Sequence, residues 1–318
     1  MARRAVPQGA VPHHAVSARA WLLYAAMAIL WGIPYLLIKE AVDSFSPAAI
    51  VAGRTLLGAL ILLPLAIRRG ALRPALKLWP WVLAFGAIEM AGPFFLLGHA
   101  EQTLPSGLTG LLVATVPLFA AGIALARGDR TMLSPVRGAG LGIGFIGVGV
   151  IVAGPGLAVA DPARALGAIG EVLLVAFLYA VAPFIVATKL ARVPSLGTIT
   201  LSLFCVGIAY LPVAVLTQHE LPTVRSTVSL AALGILCTAV AFLAFFALIG
   251  EVGPARAPLF TYINPVVAIV LGVVVLGEDL SSGLIIGFPV VLLGCWLAAT
   301  GGRVRPRPLR RADASALE

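Results

Sequence analysis

The segment FGAIEMAGPFFLL, residues 85–97, is apolar except for Glu89 near its middle. A carboxyl group in such company has two chemistries open to it. Desolvation raises a carboxyl pKa, so it can exchange a proton or hold a cation near neutral pH. Alternatively it stays protonated and hydrogen-bonds a neighbouring helix. Phe85, Gly86, Gly92 and Pro93 share its helical face, and that small-residue face suits either role. Arg54, in VAGRTLLGALILL, is a second charge inside an apolar run. It either snorkels to a headgroup layer or pairs structurally, or it meets a substrate anion or Glu89 itself. Trp31 and Tyr35 are four apart and share a face of one helix. Pro258, Thr261, Tyr262 and Pro265 fall at i, i+3, i+4 and i+7 and form one helical stripe. Prolines there free backbone carbonyls, which a membrane tolerates only against protein or a cavity. Thr261 and Tyr262 are therefore read either as cavity lining or as plain packing, and Asn264 as an interhelical bond. Glu171 reads as a cap in the first turn of a helix. His99, Glu101 and Gln102, beyond another helix on the outer face, read either as solvated residues or as a gate contact.

Catalytic chemistry has little to build on. There is no nucleophile elbow, phosphate loop or His–acid pair on one helix face, and the four histidines, His13, His14, His99 and His219, lie outside the apolar runs. Cys205, Cys237 and Cys295 sit within apolar runs without metal-ligand spacing, where a thiol behaves as a small hydrophobe. The expectation is no catalytic residue, no metal and no cofactor: not an enzyme.

The elements that must position these groups follow from composition. Of 318 residues, 60% are hydrophobic and 11% charged, and the mean hydropathy is +1.06. A soluble domain carries about 25% charged residues. A hydrocarbon core about 30 Å thick needs roughly 20 apolar residues of helix. That template finds ten spans, near 21–38, 48–67, 79–98, 107–126, 138–157, 168–187, 196–216, 228–249, 256–276 and 283–300. They do not alternate as barrel strands do. The expected class is an all-α integral membrane protein. Residues 1–20 carry arginines as a signal peptide does, but the first run is long and contains Pro34, so it reads as a retained helix.

Glu89 lies about ten residues into its span, ~15 Å deep at 1.5 Å per residue. Charge sorts the two sides. With ten spans, 18 of the 22 Lys and Arg residues fall on the side of the termini; Lys39, Arg164 and Arg225 lie opposite, and Arg54 is within a span. Cytoplasmic loops hold the excess of Lys and Arg, so both termini are expected in the cytoplasm, with the protein in the plasma or inner membrane. The formal charge of +9 is then directed at lipid headgroups rather than nucleic acid.

An internal repeat orders the spans. Gly86 and Gly234 each open a span, Pro117 and Pro265 sit late in the next, and both pairs are 148 positions apart. WGIPYLLIK, ending at Lys39, is echoed by YAVAPFIVATK, ending at Lys189. Five spans per unit is an odd number, so the second unit enters the membrane inverted. Inverted repeats are a common architecture of secondary transporters, with the substrate site between them. Residues 1–20 form an N-terminal tail, 21–158 and 167–301 the two repeats, and 302–318 a basic C-terminal tail.

WG followed by a helix ending in Lys, VAGRTLLGALILL, LPSGLTGLLVATVPLF and a closing Gly-rich helix together resemble the EamA-type module. Two copies make a permease of the drug/metabolite transporter superfamily, and the resemblance covers about residues 20–301. LGEDLSSGLIIG fits the family's acidic turn, whereas its first-half counterpart has Arg127 and Gly128 in place of Gly-Glu. The resemblance implies a secondary transporter of small-molecule solutes, with helices one, three and four and their counterparts lining the path. Glu89, Arg54, Trp31, Tyr35, Thr261 and Tyr262 are the pathway candidates, and Glu89 is the candidate for proton coupling. Export of a metabolite, amino acid or drug-like solute leads; an uncoupled facilitator, a lipid-modifying enzyme and an assembly subunit are the alternatives. The glycine rows Gly140, Gly144, Gly147 and Gly283, Gly287 allow close helix packing, within one protomer or between two in a homodimer. Reporter fusions to the two termini are expected to place both in the cytoplasm; termini in different compartments would remove the basis of this topology.

Overall fold

A computed structural model describes residues 17–128, 134–153, 162–253 and 256–301. Residues 1–16 of the N-terminal tail, the whole C-terminal tail, the residues 129–133 after Arg127-Gly128, and residues 154–157 assigned to the fifth span lie outside the described residues. Ten helices are long and apolar enough to cross a membrane: α1 Ala18–Ala41, α2 Pro47–Arg68, α3 Trp79–Ala100, α4 Ser106–Ala126, α5 Pro135–Val152, α6 Ala163–Lys189, α7 Ser195–Thr217, α8 Val224–Val252, α9 Ala257–Leu276 and α10 Ser282–Thr300. No strand occurs among the described residues. All ten expected spans are present. The outward faces keep large apolar groups uncovered, among them Leu216, Val228 and Val274. In water such a surface would drive association; against lipid it is at rest.

The repeat is written into the packing. α2 lies against α7 and α5 against α10, while α1 packs on α8 and α9 and α6 packs on α3 and α4. Each unit thus lends its first helix to the other's third and fourth. Two groups result, α1/α8/α9 and α3/α4/α6. Packing between them runs through the second halves of α1 and α9, the first half of α4 and the end of α3. These parts all lie on one face, called here the far face; the opposite face, where α1 begins and α10 ends, is the terminus face.

Several helices are interrupted, and the interruptions in the third and fourth helices of each unit obey the same 148-residue period. α3 contains a π-turn at Ala87–Ala91 and α8 one at Ile235–Val240. Pro93 has no N–H to give the Glu89 carbonyl one turn back, which accounts for the first. In the second, the Thr238 hydroxyl bonds the Leu233 carbonyl (2.8 Å). α4 breaks between Ser106–Val113 and Val116–Ala126, beside Pro117. α9 begins as a 3₁₀ turn, Ala257–Tyr262, and becomes α-helical at Asn264, beside Pro265. α1 stops at Leu30 and resumes at Pro34.

The glycine rows pack α5 on α10 within the protomer. A Cβ on Gly140 would come 2.5 Å from the Ala298 nitrogen and 2.7 Å from Leu297 Cβ, and one on Gly147 would come 2.8 Å from the Val291 nitrogen. Gly142, on the same helix, has nothing within 4 Å of such an atom. Gly140→Ala must push two backbones apart and is expected to cost about 1–3 kcal/mol, as overpacking does. Gly142→Ala is expected to be neutral or stabilising. Thermal unfolding of the two variants in detergent checks the contrast.

Candidate functional site

The polar groups of the interior converge where the two groups of helices meet α2. Arg54 enters from α2, the eighth of its 22 residues. It does not snorkel: its side chain is buried. Its Nε donates to Thr238 Oγ1 on the π-turn of α8 (3.1 Å). The guanidinium stacks over the Phe94 ring of α3, 3.8 Å from the centroid. A desolvated cation over an aromatic face gains ~2 kcal/mol or more, which offsets part of the cost of burial. Of the five N–H donors of a guanidinium, only Nε is used in a described hydrogen bond, and the terminal nitrogens are not sealed from open space.

Glu89 is the eleventh of the 22 residues of α3 and lies on the π-turn, half-buried. Among the described residues it has no hydrogen bond and no ion pair, and Arg54 is not its partner. Tyr179 of α6 lies within electrostatic reach of both Glu89 and Arg54. Tyr35 and Cys237 lie within reach of Arg54. The arrangement is a guanidinium and a carboxyl held apart at mid-depth, each with bonding capacity to spare. Positive donors on one side and acceptors on the other can receive a solute that carries both.

The remaining sequence candidates are distributed differently from the expectation. Trp31 and Tyr35 are separated by the break in α1. Trp31 packs among Phe242, Phe245 and Phe260, while the ring of Tyr35 lies over Gly110 of α4. The stripe of α9 assumed a continuous α-helix; because Ala257–Tyr262 is a 3₁₀ turn, Thr261 and Tyr262 do not follow that register. Thr261 bonds the Pro258 carbonyl (2.7 Å), and Tyr262 packs against the core beside Cys295. Glu171 is not a first-turn cap, because α6 begins more than two turns earlier; it pairs with His99 Nδ1 (2.9 Å).

Glu101 corrects the sequence reading most sharply. It is fully buried, and neither carboxyl oxygen has a hydrogen-bond partner. Burial pushes this carboxyl well above the usual carboxylate range, with Lys39 opposing the shift and Glu278 adding to it. Around it the far face is clasped across the two groups of helices. Lys39 Nζ of α1 donates to the carbonyls of Glu101 (2.6 Å) and Leu104 (3.0 Å). Glu278, after α9, accepts from Ser106 N (2.6 Å) and Gly107 N (3.1 Å), capping the start of α4. An anion at a helix N-terminus is stabilised by unpaired N–H groups and by the dipole. Beside this clasp lies a cavity of about 250 Å³, lined by Lys39, Thr103, Leu108, Glu278 and Leu284 among others. On the terminus face, Ser17 and Arg19 bond Glu251, and Tyr24 bonds the Arg256 carbonyl. Those contacts stay within α1/α8/α9. Among the described residues, no hydrogen bond or ion pair like those of the far face joins the two groups there.

Comparison with known proteins turns this architecture into a family. The model of the EamA-like transporter family matches residues 18–153 and again 167–300. The chain belongs to the EamA-like transporter family. The Escherichia coli (strain K12) protein named Uncharacterized inner membrane transporter YedA is 26% identical over 285 residues, 88% of this chain and 90% of YedA. The Bacillus subtilis (strain 168) protein named Uncharacterized transporter YvbV is 26% identical over 90% of this chain and 93% of its own length. A protein of Streptantibioticus cattleyicolor named Probable terminal-alkyne amino-acid exporter is 26% identical over 83% of this chain and 87% of its own. A solved crystal structure superposes with a TM-score of 0.61 at 21% identity, covering 88% of this chain and 96% of the other, and shares the fold. This chain is accordingly a multi-pass membrane transporter of the EamA-like family.

Sequence reasoning did not single out Tyr179, Thr238, Phe94 or the buried state of Glu101. The repeat register carried a signal for two of them: Tyr179 stands 148 residues after Trp31, and Thr238 is adjacent to Cys237, the equivalent of Glu89. Nothing in HAEQTLPSG marks Glu101 as buried. Thr238→Val in this EamA-like transporter keeps the shape but removes Arg54's acceptor, and is expected to lower stability by about 1–3 kcal/mol. Thr238→Ser, which keeps the hydroxyl, is expected to restore most of it in the same thermal unfolding measurement.

Proposed function

We propose that this EamA-like transporter is a secondary exporter of a small solute bearing both charges, such as an amino acid, working by alternating access between its two helix groups. The observation that carries the reading is the central pair Arg54 and Glu89: opposite in charge, at mid-depth, and not bonded to each other. Buried charges left unpaired are costly. A solute with an anionic and a cationic end compensates both at once, its anion on the spare guanidinium donors and its cation on Glu89. Tyr179, beside both, is placed to bond the solute between them. The amino-acid exporter name of one relative supports this class.

The path runs between α1/α8/α9 and α3/α4/α6, with Trp31 and the 3₁₀ turn of Thr261 and Tyr262 along its terminus half. The excess of Lys and Arg on the terminus face makes that face cytoplasmic. With the far face clasped, the described state loads solute from the cytoplasm. Glu89 holds either a proton or the solute's cationic end. That mutual exclusion couples outward solute movement to inward proton movement. An uncoupled facilitator differs in one respect, since its flux ignores the proton gradient.

Comparison of metabolites in cells lacking and overproducing the protein identifies the solute, and its flux in proteoliposomes tests the mechanism. Glu89→Gln is expected to abolish stimulation by a pH gradient; unaltered gradient-driven flux would end the coupling reading. Arg54→Gln is expected to raise the KM roughly tenfold or more, the loss of a hydrogen bond to a charged group.

A further inference from the structure

We propose that Glu101 is a proton-binding site that governs the far-face gate: with a proton on its carboxyl the gate stays sealed, and loss of that proton to far-side water opens it. This site is separate from the solute site. The proposal concerns a conformational equilibrium measured without solute, and it stands or falls independently of Glu89.

The geometry carries it. Both oxygens of Glu101 are buried without a donor, so in the sealed state an ionised carboxyl would lack the hydration or hydrogen bonds that a buried charge requires. The ammonium of Lys39 is close at hand, yet it donates to the main-chain carbonyls of Glu101 and Leu104 instead of to the carboxyl. Those two bonds tie α1 to the end of α3 and to the residues before α4, across the seam between the helix groups. Ionised Glu101 would offer Lys39 a stronger, charge-assisted acceptor and would draw water into the seam. Both effects undo the clasp. The charged and titratable groups around Glu101 are Lys39 and Tyr35 on α1, Arg54 on α2 and Glu278 after α9; two residues earlier in the chain, His99 pairs with Glu171 of α6. Glu278 holds its two donors on α4 in the sealed state; an ionised Glu101 repels it, so the second clasp parts with the first.

The sign follows from linkage. The carboxyl binds its proton more tightly in the sealed state than in the hydrated open state. Raising pH between the two pKa values therefore lowers the sealed-to-open ratio, by up to roughly tenfold per pH unit for one proton.

Spin labels at Thr103 and Leu280, which line the far-face cavity from opposite sides of the seam, report the opening as a distance in pulsed electron resonance of the full chain in nanodiscs. In the otherwise unaltered protein, the long-distance population is expected to grow as pH is raised. Glu101→Gln, a permanent mimic of the protonated form, is expected to stay at the short distance at every pH. Glu101→Asp keeps a titrating carboxyl and is expected to keep a pH response, which separates loss of the proton site from loss of the fold. A Glu101→Gln protein that opens more than the parent would show instead that an ionised Glu101 holds Lys39 in place, and would overturn the proposal. A pH response that survives in Glu101→Gln, or its absence from the parent, would overturn it as well.

Discussion

A peptide group in hydrocarbon has no water to bond, so every N–H and C=O of this chain must find its partner inside the protein. That constraint explains why the ten spans are helices and, more usefully, where they are allowed to stop being regular. The π-turns of α3 and α8, the break in α4 and the 3₁₀ start of α9 lie on the helices that face one another across the centre. A carbonyl released at the π-turn of α8, that of Leu233, meets the Thr238 hydroxyl, and the unpaired N–H groups at the start of α4 meet Glu278. α2, α5, α7 and α10, at the flanks, run without such a break.

The same accounting sets the electrostatics. Arg54 is tolerated at depth because a ring covers one face and a hydroxyl meets Nε. Glu89 and Glu101 have no such company, and their exposure to a pathway or their state of protonation must supply what the protein does not. Irregular backbone and uncompensated charge therefore coincide. In a bundle held by small residues and apolar contacts, these are the places where two arrangements can have similar free energies, as the proposed alternating access requires.

Symmetry in the fold and asymmetry in the site come from different residues. Glycines and prolines repeat at 148 positions because they set how closely two backbones approach and where a ladder is interrupted, and both halves need that. Side chains at the equivalent places have diverged: Glu89 corresponds to Cys237, and Arg54 to Ser202. Ser202 bonds the Val82 carbonyl and does no more than join α7 to α3. One fold thus presents a cation and an anion from the same half, with the Thr238 hydroxyl from the other half and aromatic neighbours from both, Phe94 from the first and Tyr179 from the second.

The spans, the inverted repeat and the two deep charges were legible in the residues alone, since hydropathy over a helix length and the period of Gly and Pro are local properties. Even so, the register of a stripe was legible only while the helix was assumed regular, and the breaks in α1 and α9 redistributed Trp31, Tyr35, Thr261 and Tyr262. Tertiary structure alone decided who meets whom: that Arg54 reaches Thr238 rather than Glu89, that Glu171 pairs with His99, and that Glu101 in a polar loop is more deeply buried than Glu89 in an apolar helix. Burial and partnership are properties of the space between helices, and the exchange of α1 and α6 between the halves, which defines that space, has no counterpart in any short stretch of sequence.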